Sequence, residues 1–196
     1  MSELTPSAND QSHWFPKPYA DFVAKLRVPF GFVLLVAFAW LSRPTPSSIW
    51  HGFEIAIFGL LLRGWATGHL AKNKELATGG PYAFIRNPLY VGTVIVAAGM
   101  VVAGRSLVLA AIFALVLLFV YLPVIELEEQ HLRQIFPEYA AYAAKVNRLI
   151  PVSRWRGVPR RRFSWALYSK NEEYKALVGF LLAFVWLAGK YQWLQP

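Results

Sequence analysis

The chain has 196 residues, 56% of them hydrophobic and 16% aromatic, with a mean hydropathy of +0.37. That exceeds the roughly 45–50% apolar content of soluble domains and indicates an integral membrane protein of one domain. Cysteine is absent, which excludes disulfides, thiolate metal sites and a cysteine nucleophile, and the histidines (His13, His51, His69, His131) lack ligand spacing, so no metal is expected. A net charge of +9 would suggest nucleic acid in a soluble protein; here its distribution favours a membrane surface, and no nucleic-acid partner is expected.

In chain order, residues 1–21 read as a polar, proline-containing flexible tail with Trp14-Phe15 at the interface and without a signal peptide's order of basic then apolar residues. Residues 22–41 form a first span, with Lys25 and Arg27 near its start able to reach headgroups, followed by the proline-broken loop SRPTPSS. A second span, 49–66, is interrupted by His51, Glu54 and Arg63. Such groups are either paired or functional at depth, or lie near the two headgroup regions. A polar connector, 69–78, leads to GGPYAFIRNPLYVG at 79–92. Gly79-Gly80-Pro81 bends the chain sharply there, and Pro88 suits the first position of the helix that follows.

Residues 89–103 are a short third apolar run, with Gly99 and Gly104 permitting close helix packing. After a turn at Gly104-Arg105 comes the clearest span, 106–125, in which Pro123 predicts a kink near the end. Residues 126–146, ELEEQHLRQIFPEYAAYAAKV, place Leu132, Ile135, Phe136, Tyr139, Tyr142 and Val146 at helical spacing. They predict an amphipathic helix or helix pair that continues the fourth span into water and stops at Ile150-Pro151. The basic run RWRGVPRRR, with Phe163 and Trp165 after it, suits anionic headgroups, and 176–194 is a weaker last span.

The expected fold is therefore all-α and multi-pass, with about five spans and a cytoplasmic amphipathic segment between the fourth and fifth, in a single domain over 1–196 whose motif-bearing core is 79–151. With the N-terminus inside, Arg43, Arg105 and Lys190 fall outside and every other lysine and arginine lies inside or at an inner span end. The C-terminus is then on the opposite side, and the motif loop and the 126–151 segment share the cytoplasmic face.

That face collects Tyr82, Arg86, Asn87 and Tyr90 from one loop and Glu128, Glu129, His131, Tyr139, Tyr142, Lys145 and Arg148 from the other. Carboxylates can hold an amino group or ribose hydroxyls, arginine a carboxylate, and tyrosine faces a purine or a cation. The plainer alternatives are a solvated helix start rich in glutamate, a tight polar loop that only caps, and arginines that meet lipid phosphates. GxGxxG, GxxxxGK[ST] and HExxH are all missing, so dinucleotide, NTPase and zinc-protease readings lack support.

In combination, Gly80-Pro81-Tyr82, Arg86-Asn87-Pro88-x-Tyr90-x-Gly92, a hydrophobic hairpin, Glu128-Glu129-x-x-Leu132, Phe136, Glu138-Tyr139-x-x-Tyr142 and Pro151 resemble the isoprenylcysteine carboxyl methyltransferase and phospholipid methyltransferase family over about half the chain. The resemblance implies a multi-pass membrane enzyme using S-adenosylmethionine (AdoMet). It makes Tyr82, Asn87, Pro88, Tyr90, Glu128, Glu129, Tyr139 and Tyr142 cofactor candidates, and places Arg86, Lys145 and, in the same segment, Arg148 near the methyl acceptor. The acceptor is a small or lipophilic molecule, whether a carboxylate such as isoprenylcysteine, a lipid amine or a thiol, and membrane lipids are the expected partners. This chain has Asn87 where many members carry histidine, and it lacks the glycine usual after Phe136, which tightens the spacing to Tyr139 and Tyr142. Two readings from other classes stay beside this one: a membrane ligand-binding or transport protein using Glu54, Arg63 and the cytoplasmic pocket, and a lapsed methyltransferase kept as a scaffold.

Overall fold

A computed structural model describes residues 15–152, 154–156 and 162–194, and among them all regular elements are helical. The expectations for Trp14, for the centre of the arginine run and for the Arg27 side chain fall outside what is described. Helix α1 spans Lys17–Leu41 and bends by 53° between its segments Pro18–Leu26 and Pro29–Leu41. Pro29 accounts for the bend, because it removes one N–H and crowds the preceding turn. Helix α2, Pro46–Thr67, opens with a capping box in which the Thr45 side chain accepts from the Ser48 amide and the Ser48 hydroxyl accepts from Thr45 N–H. Helix α3, Pro88–Gly104, starts on Pro88 as expected and ends on Arg105 in the left-handed region, at φ 47°.

Ser106 caps α4, Leu107–Val116, which runs through a π-helical turn, Leu117–Tyr121, into α5, Leu122–Ile135. Together they make one 29-residue rod, Leu107–Ile135. The π turn absorbs Pro123, and the Phe119 carbonyl four residues before it accepts the Tyr19 hydroxyl from α1 at 2.7 Å. A tight turn then gives α6, Tyr139–Ala143; after the basic segment come α7, Trp165–Lys170, and α8, Tyr174–Trp193.

Helices α2 and α3 meet backbone to backbone. Gly52 lies on Gly99 and Ala103, and Gly59 lies on Gly92 and Val96, so closely that a Cβ at either would come within 2.6 Å of the facing helix. Small residues at a regular spacing are what allow this approach between apolar helices. Ala56 and Ala103 continue the seam into a core with Phe180, Phe184 and Leu187 of α8. A second cluster, Val23, Val116 and Val120, joins α1 to the rod.

The polar groups of α2 have distinct fates. His51 bonds the Ser47 carbonyl within the first turns and Glu54 is exposed. Arg63 forms a fork onto Glu173, with contacts of 2.7 and 3.0 Å, and also reaches the Thr93 hydroxyl, tying α2 to the starts of α8 and α3. At the far end of the bundle the Arg43 amide bonds the Gly104 carbonyl, and Lys190 Nζ donates to the Ala39 and Trp40 carbonyls at the end of α1. Arg43, Arg105 and Lys190 are thus gathered at one end, and the motif loop and α6 lie at the other.

By length and composition Leu107–Ile135 and Tyr174–Trp193 are able to cross a membrane, and the bent α1 is a third if taken as one span. Large apolar side chains such as Phe32, Phe58, Leu107 and Val185 are mostly exposed on the outer surface, as a lipid-facing surface requires.

Candidate functional site

The motif loop is shaped first by Gly80, whose φ of 57° lies in the left-handed region and whose Cβ would come within 2.7 Å of the His69 imidazole. The next residues form a short 3-10 turn, Gly80–Ala83, that carries Tyr82 inward. Past it the loop is stitched to the segment after α6. Ile85 and Asn147 form an isolated parallel bridge, Arg86 N–H donates to the Asn147 carbonyl at 3.0 Å and Asn87 N–H to the Arg148 carbonyl at 3.2 Å. Trp155 N–H donates to the Ala83 carbonyl at 2.7 Å, so the chain after Pro151 also returns to this loop. The two polar segments named from the sequence are therefore in direct contact.

Between them lies a cavity of about 330 Å³. Its wall holds Tyr82, Asn87, Pro88 and Tyr90 from the motif, Glu128 and His131 from α5, and Tyr139 and Tyr142 from α6. The connector between α2 and the motif closes another side with Lys72, Asn73, Glu75 and Leu76. Sequence reasoning passed over this connector, whose polar composition reads as ordinary loop. The Tyr90 hydroxyl donates to Glu128 Oε2 at 2.8 Å. Tyr139 and Tyr142 are both 1% exposed, with rings 6.0 Å apart edge to face, so the tightened Phe136-to-Tyr139 spacing still delivers both to the same cavity as Glu128. The Tyr142 hydroxyl is used internally, donating to the Tyr82 carbonyl at 2.6 Å. The hydroxyls of Tyr82 and Tyr139 are buried and have no hydrogen-bond partner among the described residues. Burial raises all three phenols above the ordinary tyrosine range, with Glu128 adding to the effect at Tyr82, so they stay protonated donors at neutral pH.

Glu129 lies behind this wall, 3% exposed. Its Oε1 accepts from Asn87 Nδ2 at 2.8 Å and lies 3.5 Å from Arg86 Nε, and its Oε2 accepts from Arg148 Nε and Nη2 at 3.1 and 2.8 Å. Asn87 thus spends its amide on a carboxylate.

A second, more open cavity of about 600 Å³ adjoins the first. Arg86, Lys145 and Arg148 line it together with Leu122, Val146, Ile150 and Val152. The Lys145 ammonium lies 5.4 Å from the Trp155 ring centroid. Arg86 borders both cavities. Among the described residues no group of three His, Asp or Glu is placed to hold a metal ion.

The family model for phospholipid methyltransferase matches residues 50–139. The cobalt-zinc-cadmium resistance protein CzcN of Cupriavidus metallidurans is 35% identical over 109 residues, covering 54% of this chain and 49% of that protein. The nickel-cobalt-cadmium resistance protein NccN of Alcaligenes xylosoxydans is 33% identical over 114 residues, covering 57% and 52%. Phosphatidylethanolamine N-methyltransferase B of Dictyostelium discoideum is 31% identical over 107 residues, covering 47% and 52%. The chain thus spans about half the length of these curated relatives. No solved structure matches. The matched stretch holds the whole motif loop, Glu128, Glu129 and Tyr139, and over it the chain is similar to the phospholipid methyltransferase family of membrane methyltransferases.

Proposed function

We propose that the chain is an AdoMet-dependent methyltransferase that acts at the cytoplasmic membrane interface on a small or lipophilic acceptor. The observation that carries this reading is the pair of cavities that meet at Arg86, one walled by the donor candidates and the other by the three basic candidates. The first cavity lies within the roughly 300–1,000 Å³ of small-molecule sites. It combines carboxylates, tyrosine faces and two buried hydroxyls without partners among the described residues, groups that suit the amino-acid, ribose and purine parts of AdoMet. Tyr82, Asn87, Pro88, Tyr90, Glu128, Tyr139 and Tyr142 are assigned to hold it, with Glu129 behind Asn87.

When bound, AdoMet supplies an electrophilic methyl on a sulfonium, which passes to the acceptor's lone pair as the carbon–sulfur bond breaks and a neutral sulfide is left. The leaving group needs no acid, so the protein's task is to orient and to exclude water, where effective molarities of about 10⁵–10⁸ M are attainable. The faces of Tyr139 and Tyr142 favour positive charge beside them. Arg86, Arg148 and Lys145 hold the acceptor in the second cavity, whose apolar residues receive its hydrocarbon part. A carboxylate or thiolate is nucleophilic as it stands, but an amine must first lose a proton, for which His131 and Glu128, on the wall of the first cavity, are the candidate bases. The Dictyostelium relative's name makes phosphatidylethanolamine the first acceptor to try. Transport has less support, because Arg63 is bound to Glu173 and Thr93.

In this reading α1, α2, α3, the rod and α8 all cross the bilayer, the N-terminus and motif loops are cytoplasmic, and the C-terminus is opposite. The gathering of Arg43, Arg105 and Lys190 at the end away from the motif supports that orientation.

The test is transfer of labelled methyl from AdoMet into phosphatidylethanolamine proteoliposomes, a prenylcysteine analogue and a small thiol. Label enters one of these acceptors, and Glu128→Gln and Tyr90→Phe each lower the rate at least about tenfold, as loss of a hydrogen bond involving a charged group implies. No transfer to any of the three by folded protein would count against the reading.

A further inference from the structure

We propose that Glu129 is a positioning residue for the acceptor side, so that the adjacent glutamates serve opposite cavities. This deepens the two-cavity reading and rests on it. Consecutive residues of a helix point about 100° apart, so the two carboxylates cannot share one face. Glu128 is exposed on the donor-cavity wall and takes the Tyr90 hydroxyl. Glu129 lines neither cavity. Its contacts are with Asn87, Arg148 and Arg86, and both arginines line the second cavity.

The charges explain what such a carboxylate does. Two guanidiniums close together repel, and one buried carboxylate between them offsets that repulsion, fixing the Arg148 plane through two charge-assisted hydrogen bonds and holding Arg86 by charge at 3.5 Å. Asn87 completes the clamp, since its side chain bonds Glu129 and its backbone N–H bonds the Arg148 carbonyl. The motif asparagine and the second glutamate therefore set where Arg86 and Arg148 present themselves to the acceptor, and the donor makes no contact with Glu129.

The experiment compares wild type, Glu128→Gln and Glu129→Gln by calorimetric titration with S-adenosylhomocysteine, and maps phenylglyoxal modification at Arg86 and Arg148 by mass spectrometry. For Glu129→Gln, affinity falls several-fold less than in Glu128→Gln, because Glu129 reaches the donor cavity only through Asn87 and Arg86, while both arginines become several-fold more reactive. For Glu128→Gln the pattern reverses, with affinity down at least about tenfold and arginine reactivity unchanged. Glu129→Asp, which keeps the charge, gives intermediate reactivity and serves if the glutamine variant does not fold. Equal loss of affinity in both glutamine variants, or unchanged arginine reactivity in Glu129→Gln, overturns the proposal. If wild type binds no S-adenosylhomocysteine the donor reading fails, and the arginine mapping still decides whether Glu129 holds the basic pair.

Discussion

Replacing Gly92 by alanine probes the seam on which the motif loop is mounted. The new Cβ would lie 2.5 Å from Arg63 Cγ, 2.8 Å from the Gly59 carbonyl oxygen and 3.3 Å from Arg63 N, where carbon atoms attract best at about 3.5–4.0 Å. Alanine recovers roughly 1 kcal/mol of helix propensity, and overpacking a tight contact costs about 1–3 kcal/mol. If Arg63 is displaced instead of the helices, its fork leaves Glu173, which is 7% exposed, and breaking a buried pair costs about 3–5 kcal/mol. Net of the propensity gain, the loss is about 0–2 kcal/mol if the helices yield and about 2–4 kcal/mol if the pair breaks, and at about 2–4 °C per kcal/mol for a chain of this size the melting temperature falls by up to roughly 15 °C. Gly179→Ala in α8 is the control, because nothing lies within 4 Å of its Cβ position; it makes the same propensity gain without the clash. Thermal unfolding of the two variants in one detergent, followed by tryptophan fluorescence, separates them. Equal shifts would refute the close approach of α2 and α3.

The buried phenols yield two further predictions. Tyr142→Phe removes the donor to the Tyr82 carbonyl and costs about 1–3 kcal/mol, because that carbonyl is left unsatisfied. Tyr139→Phe removes a hydroxyl that has no partner among the described residues, leaves the melting temperature nearly unchanged and weakens S-adenosylhomocysteine binding; paired melting and binding curves check both. In alkali, unfolded tyrosine ionises near about pH 10 while Tyr82, Tyr139 and Tyr142 remain protonated when buried, so the unfolded state binds fewer protons and stability declines as pH rises above about 10. Melting curves between pH 8 and 11 and phenolate absorbance read this, and ionisation of every tyrosine before unfolding would contradict it.

Much of this was legible locally. Gly79-Gly80-Pro81 and Pro88 are backbone statements, and the bend and helix start follow from them wherever they occur. The joining of the motif loop to the segment after α6 was readable from charge asymmetry, because even a hairpin returns to the side it left. What stayed hidden depended on partners far along the chain. The kink expected at Pro123 is absorbed by a π turn, and the carbonyl it would free meets Tyr19, about a hundred residues earlier. Arg63 reads as a costly intramembrane charge until Glu173, 110 residues on, is seen against it. Gly92 reads as part of a motif, but its reason is the Arg63 side chain crossing it. The different fates of Glu128 and Glu129 follow from the rotation of α5, which a double-glutamate spacing does not specify.

The central claim is that the cavity walled by Tyr82, Tyr90, Glu128, Tyr139 and Tyr142 is a methyl-donor site. Its most direct test is calorimetric titration of S-adenosylhomocysteine into the detergent-purified chain, beside Glu128→Gln and Tyr90→Phe. The account predicts saturable binding at one site, weakened in both variants. Absence of binding in folded, monodisperse protein, confirmed by equilibrium dialysis with labelled AdoMet, would contradict it.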